Sequence, residues 1–190
     1  MYFTTTRLHQ ELAGATFHDV IVDEAHDPQS LAPFKGNIDL GKLASLVGEV
    51  GADKVPYVSL AGTVNMAGGQ PVSMDNMREV YEYCSGRGIP VYFDAPRVVE
   101  NACMIQLRDE RYRGVRVEDI VREMMLYGDG CTISGKKDFL INIGGVLCFR
   151  ENAELARKAE ELLRIYEGNV TDGGLHAAEL AAITRGAEEV

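Results

Sequence analysis

Residues 89–97 read Ile-Pro-Val-Tyr-Phe-Asp-Ala-Pro-Arg, and the order of residue types in this stretch decides the fold class. The apolar run at 89–93 has the length and the β-branched and aromatic content of a strand, and it ends abruptly at a carboxylate, Asp94, with a guanidinium at Arg97. A run that is continuously apolar rather than alternating is buried on both faces, as strands of a parallel sheet are. Similar runs lie at 16–22 (TFHDVIV), 56–64 (PYVSLAGTV), 130–133 (GCTI) and 145–149 (GVLCF). Between them, apolar residues recur three and four apart: Leu40, Leu43, Ala44 and Val47; Met74, Met77, Val80, Tyr81 and Cys84; Val117, Ile120, Val121 and Met124; Leu155, Ala159, Leu162, Leu163 and Tyr166. That spacing predicts helices with one buried face each. Strands alternating with helices predict an α/β fold, a mainly parallel sheet flanked by helices. Residues 23–37 read as an ordered surface loop, and 174–190 as an Ala-rich helix.

The 190 residues correspond to one main domain at about 150 residues per domain. With 46% hydrophobic and 25% charged residues the chain has the composition of a globular protein. A net charge of −10 repels phosphate backbones and anionic lipid, so neither nucleic acid nor a membrane is an expected partner. No stretch approaches the roughly 20 apolar residues needed to span a bilayer, and no secretory leader is evident. Cys84, Cys103, Cys131 and Cys148 lack CxxC spacing, and three of them lie in apolar runs, which suits buried thiols in a reducing, cytoplasmic compartment.

In an open parallel sheet, ligands bind beyond the carboxyl ends of the strands. Asn65 follows the 56–64 run, Asp94 and Arg97 follow 89–93, and Ser134-Gly135-Lys136-Lys137-Asp138 follows 130–133. An amide, a carboxylate, a guanidinium, a hydroxyl and two amines on one rim suit pyridoxal phosphate. Its aldehyde needs a lysine, its ring nitrogen an Asp, and its phosphate hydroxyl and cationic donors. Each residue also has an ordinary reading. Asp94 suits a helix N-cap or an ion pair with Arg97; Lys136 and Lys137 suit solvated charge; Asn65 suits a turn, and Phe3 a core position. Residues 67–71 suit a tight turn leading to a helix capped near Ser73. The four histidines read as structural or surface residues, and no GxGxxG follows a strand.

The strings VNMAGGQPVSM (64–74), YFDAPRVVENA (92–102), DGCTISGKKD (129–138), NIGGVLC (142–148) and YEG (166–168) together resemble the β-eliminating lyases, pyridoxal-phosphate enzymes that cleave tyrosine or tryptophan. The similarity runs in order over essentially the whole chain. The opening YFTTTR (2–7), with GATF (14–17) and DEAHD (23–27), is similar to the tyrosine-cleaving branch; the tryptophan-cleaving branch generally carries Asp where this chain has Thr4. The resemblance implies the large domain of the aspartate-aminotransferase-like (fold type I) enzymes. It implies that Lys137 holds the cofactor and handles the α-proton, and that Asp94 pairs with the ring nitrogen. Phe3 would stack on the ring, Asn65 and Arg97 would flank its phenolic oxygen, and Ser134 and Lys136 would hold the phosphate. Thr4 would lie near the leaving phenol, and the Asn142 carbonyl would help bind a potassium ion. The implied reaction is α,β-elimination of L-tyrosine to phenol, pyruvate and ammonia, in a homotetramer with an aromatic amino acid as substrate.

Family chains are much longer. The resemblance therefore implies that 1–170 is the central part of the cofactor domain and that 171–190 begins a helix leading toward a small domain. The phosphate-gripping loop and the carboxylate-binding arginine would lie outside the chain. Pro96 stands where relatives usually carry a small hydroxyl residue, Asp172 where they carry an aromatic one, and Ala178 where an arginine is expected. Three readings follow: a tyrosine-cleaving lyase completed by companion segments, a non-catalytic remnant or interaction module, and a tryptophan-cleaving lyase.

Overall fold

The computed structural model describes residues 3–168 and 174–189. Among these residues four strands, β1 (Val58–Ala61), β2 (Val91–Asp94), β3 (Gly130–Ser134) and β4 (Gly145–Phe149), form one sheet in that order. The first three are parallel and β4 runs antiparallel to β3. Among the described residues seven α-helices accompany them: α1 (Thr4–Leu12), α2 (Leu40–Val50), α3 (Met74–Ser85), α4 (Val98–Arg108), α5 (Val117–Leu126), α6 (Ala153–Tyr166) and α7 (Ala177–Glu189). The architecture is the expected α/β arrangement, with a mainly parallel sheet.

α3 crosses from β1 to β2, and α4 with α5 crosses from β2 to β3. Their apolar stripes form one core with a single face of the sheet: Met74, Met77, Val80 and Cys84 from α3, Val98, Ala102 and Ile105 from α4, and Ile120 and Met124 from α5 bury with Leu60, Val91 and Phe93. The burial on both faces expected of these strands is not found, because the alternate residues Ser59, Ala61, Tyr92 and Asp94 are only half-buried. Ser73 caps α3 as its position suggests, its hydroxyl accepting the Asn76 N–H at 3.2 Å. Two buried asparagines tie loops to this core. Asn101 accepts from the Val72 N–H at 2.9 Å and donates to the Val72 carbonyl at 3.0 Å; Asn76 does the same with Ile38, both bonds at 2.8 Å.

Three expectations are corrected. Residues 16–22 form no strand, because only a short antiparallel stretch pairs there: Ile21 bridges Ile38, flanked by Val22 N–H to Asn37 and Asp39 N–H to Val20. The Asp19 carboxylate accepts the Ile21 N–H in a local turn that stops any extension. The α6 stripe is not a buried face: Leu155 and Ala159 are half-buried, whereas Leu162, Leu163 and Tyr166 are exposed. α6 packs against β4, itself the outer strand among the described residues, and its far turns stay exposed. Of the cysteines, Cys84 and Cys131 are buried, Cys103 is half-buried and Cys148 is exposed on β4; all four are free thiols. The four histidines are exposed. Among the described residues, no helix is long and apolar enough to cross a membrane. The boundary expected at 170/171 and the substituted Asp172 lie outside the described residues.

Candidate active site

Strand register brings the chemistry together. Ala61 pairs with Asp94 and Asp94 with Thr132, so the carboxyl ends of β1, β2 and β3 lie side by side, and Ser134 pairs with Gly145 at the β3–β4 turn. Beyond these ends lies a cavity of about 400 Å³, lined by Phe3, Asn65, Asp94, Arg97, Ser134, Lys136 and Lys137 among others. A larger cavity of about 930 Å³ between α1, α2 and β1 is lined mostly by apolar groups and shares Phe3 and Asp94 with the first.

Asn65 starts a short 3₁₀ turn (Asn65–Ala67) that closes through Gly68 and Gly69 at φ of 83° and 73°, conformations only glycine adopts without strain. The turn returns the chain so that Gln70 pairs with Val64, which leaves the Asn65 amide at the rim. Its Oδ1 accepts Arg97 Nη1 at 2.8 Å. Pro96 lacks an N–H, yet Arg97 is held on both sides: its N–H donates to the Gly62 carbonyl at 3.2 Å, and its Nε lies 3.6 Å from Glu100. The ion partner of Arg97 is thus Glu100 rather than Asp94. Nor does Asp94 cap α4, whose N-cap is Arg97 with no side-chain bond. Burial pushes the Asp94 carboxyl above its usual range, and the charge of Lys137 partly offsets this.

Lys137 sits in the turn after β3, which is closed by its own bonds: Gly135 N–H to Gly144 at 2.9 Å, Leu140 N–H to Lys137 at 3.0 Å and Ile141 N–H to Gly135 at 3.2 Å. Lys136 is exposed and Lys137 half-buried; both line the cavity. Two expected residues are not brought in. Thr4 is exposed on α1 and lines neither cavity, whereas its neighbours Thr5 and Thr6 line the smaller one. Asn142 is exposed in the β3–β4 connection, also away from the cavity lining. Among the described residues, no cluster of His, Cys, Asp and Glu could hold a metal ion.

The sequence reading missed Thr63 and Thr132 as well. Each lies two residues before a rim residue, Asn65 and Ser134, and the period of a strand would have marked Thr132 as sharing the face of Ser134. Thr63 is 3% exposed, and its Oγ1 is buried without a hydrogen-bond partner. A buried hydroxyl left unpaired costs about 1–3 kcal/mol. A ligand oxygen in this cavity would remove that cost. A buried carboxylate, a guanidinium–amide pair, two amines and an orphaned hydroxyl around one cavity fit pyridoxal phosphate, which takes a lysine at its aldehyde and an Asp at its ring nitrogen.

The fold recurs in solved structures. A Listeria monocytogenes protein provisionally assigned as an L-allo-threonine aldolase superposes with a TM-score of 0.64 over 98% of this chain and 42% of that one, at 17% identity. An Exiguobacterium protein provisionally assigned as an aromatic amino acid beta-eliminating lyase/threonine aldolase gives 0.55 over 70% and 33%, at 20% identity. The beta-eliminating lyase family model matches residues 1–189, and the chain belongs to that family. Similar relatives named tyrosine phenol-lyase come from Pasteurella multocida (57% identical over 100% of this chain and 41% of that protein) and Intrasporangium calvum (58%, over 100% and 40%). The chain thus spans about two fifths of the length of these relatives.

Proposed function

We propose that this chain carries the cofactor core of a pyridoxal-phosphate-dependent carbon–carbon lyase that eliminates phenol from L-tyrosine, leaving pyruvate and ammonia. The observation that carries the reading is the meeting of Asp94, the Arg97–Asn65 pair, Ser134 and Lys137 around one cavity at the strand ends. The relatives named tyrosine phenol-lyase support the choice of substrate. Bound pyridoxal phosphate supplies an electron sink for the carbanion formed at the Cα of an amino acid.

The chain's own groups have separable tasks. Ionised Asp94 is costly in its buried position, and a cationic ring nitrogen beside it recovers that cost while staying protonated. Arg97 Nη1, already fixed by Asn65 Oδ1, presents its remaining N–H groups to a phenolic oxygen. Ser134 Oγ and Lys136 Nζ serve a phosphate. Phe3 excludes water from one face of a ring. Lys137 Nζ would hold the cofactor at its aldehyde carbon, with release of water, and would accept the Cα proton once the amino group of the substrate has displaced it as a free amine. Thr4, near a leaving phenol, and the Asn142 carbonyl, as a ligand of a potassium ion, belong to the same reading, as do an aromatic amino-acid substrate, a homo-oligomeric assembly and a cytoplasmic setting. Their support is the family resemblance.

The test is to incubate the chain with pyridoxal phosphate, reduce with borohydride and map the modified lysine by mass spectrometry. Stoichiometric modification at Lys137 is expected, with loss in Lys137→Ala. Modification scattered over surface lysines would overturn the reading.

A further inference from the structure

Asp138 follows the cavity lysines but lines neither cavity. Its side chain reaches instead to the start of α4, where Oδ2 accepts the Val99 N–H at 2.8 Å. The first N–H groups of a helix have no partner within it, and the residue in the N-cap position normally supplies one. Here that residue is Arg97, whose side chain makes no capping bond and is turned toward Asn65 in the cavity. Asp138 therefore caps α4 from a different segment, and the bond joins two parts of the site: the turn carrying both lysines and the helix start carrying Arg97.

The surroundings suit this task. Asp138 is half-buried, and burial with the nearby Glu100 pushes its carboxyl up, while the Val99 N–H, Arg97 and Lys137 pull it down. The other hydrogen bonds of the lysine turn given above run within the turn itself, and the Asp138 carboxylate supplies one that ties it to α4. Consecutive Cα atoms are about 3.8 Å apart, so a bond that holds residue 138 restrains where residue 137 can lie. Selection between adjacent lysines needs such a fix, because both line the same cavity.

We propose that Asp138 is a positioning residue: by capping α4 through the Val99 N–H, it sets the lysine turn so that Lys137, and not Lys136, meets the cofactor. The proposal rests on the cofactor reading above. Asp138 touches no reacting atom and acts through the backbone of its neighbour.

The experiment compares wild type, Asp138→Ala, Asp138→Ser and Asp138→Asn by borohydride trapping with pyridoxal phosphate, reading the ratio of modified Lys137 to modified Lys136. Thermal unfolding of the cofactor-free forms is followed in parallel. Wild type should be modified selectively at Lys137. Asp138→Ala should lower the ratio about five-fold, the factor that loss of one cap carries. Asp138→Ser should do the same, since its hydroxyl is one atom too short to reach Val99 from the same Cα, and it provides the comparison should the alanine form not fold. Asp138→Asn keeps an acceptor oxygen and should restore the wild-type ratio despite losing the charge. A lowered melting temperature with an unchanged ratio in Asp138→Ala and Asp138→Ser would reduce Asp138 to a helix cap and overturn the proposal. Wild type without selective modification would overturn the cofactor reading itself, and this proposal with it.

Discussion

β2 and β4 belong to one sheet and are written in similar residues, Val-Tyr-Phe-Asp against Gly-Val-Leu-Cys-Phe, yet they live in different surroundings. β2 has a parallel neighbour on each side and helices packed over it, and Val91 and Phe93 are fully buried. β4 has β3 on one side only among the described strands, and none of its residues is buried. The same contrast separates α3 from α6, whose apolar stripes are equally regular in sequence. An apolar run specifies a strand and an apolar stripe specifies a helix; the number of elements packed on them sets burial, and burial sets how much stability each contributes.

The sharpest way to break this comparison is the same substitution on both sides. Leu60 is 1% exposed and Leu147 is 50% exposed. Leu60→Ala should cost about 2–5 kcal/mol by urea unfolding, as buried leucine truncations do. Leu147→Ala should cost under about 1 kcal/mol, because little of its surface leaves water on folding. Equal costs would show that β4 is as integral to the core as β1. Next in size, Asn101→Ala should cost about 2–4 kcal/mol, because it leaves the Val72 N–H and carbonyl without a partner inside the core. A cost below about 1 kcal/mol would mean that water enters there and that the inner half is less sealed than its burial indicates.

The same contrast explains what could be read from the sequence. The strand ends and the polar residues just beyond them were legible because a run of apolar residues stops where the chain leaves the sheet, and the rim chemistry follows it directly. Asn65, Asp94, Arg97, Ser134, Lys136 and Lys137 meet for that reason. α4 was missed because its buried face reads Val98, Asn101, Ala102 and Ile105, and a fully buried asparagine in the stripe hides the period. The role of Asn101 is invisible locally, since its partner, Val72, lies 29 residues earlier. The 16–22 run and the α6 stripe failed for the opposite reason: each has the right residues, but among the described residues the first pairs only through the Ile21–Ile38 bridge and the second leaves its far turns exposed. Asp138 was read only as the end of a motif, because its bond to α4 spans 39 residues and leaves no periodic trace.

The smallest expected effect is the one of unusual sign. Asp94 belongs to the inner, well-packed region, and its carboxyl is pushed above its usual range by burial. In the unfolded chain the group ionises near pH 3.9. Below that value it is neutral in both states and burial costs nothing extra. As the pH rises through the higher folded-state value, the unfolded chain has already lost its proton while the folded chain must ionise against the desolvation cost, so stability falls. Asp94→Asn removes this penalty. It should make the cofactor-free chain more stable at pH 7, with the difference vanishing toward pH 4. Added pyridoxal phosphate should reverse the order, raising the melting temperature of the wild type and not of Asp94→Asn, because only the carboxylate can hold a charged ring nitrogen. A variant less stable than wild type at pH 7 would mean that the attraction of Lys137 outweighs burial and that the site is balanced before the cofactor arrives. A more stable variant that no longer gains from cofactor would place the tension between stability and function at one atom group of the best-packed strand.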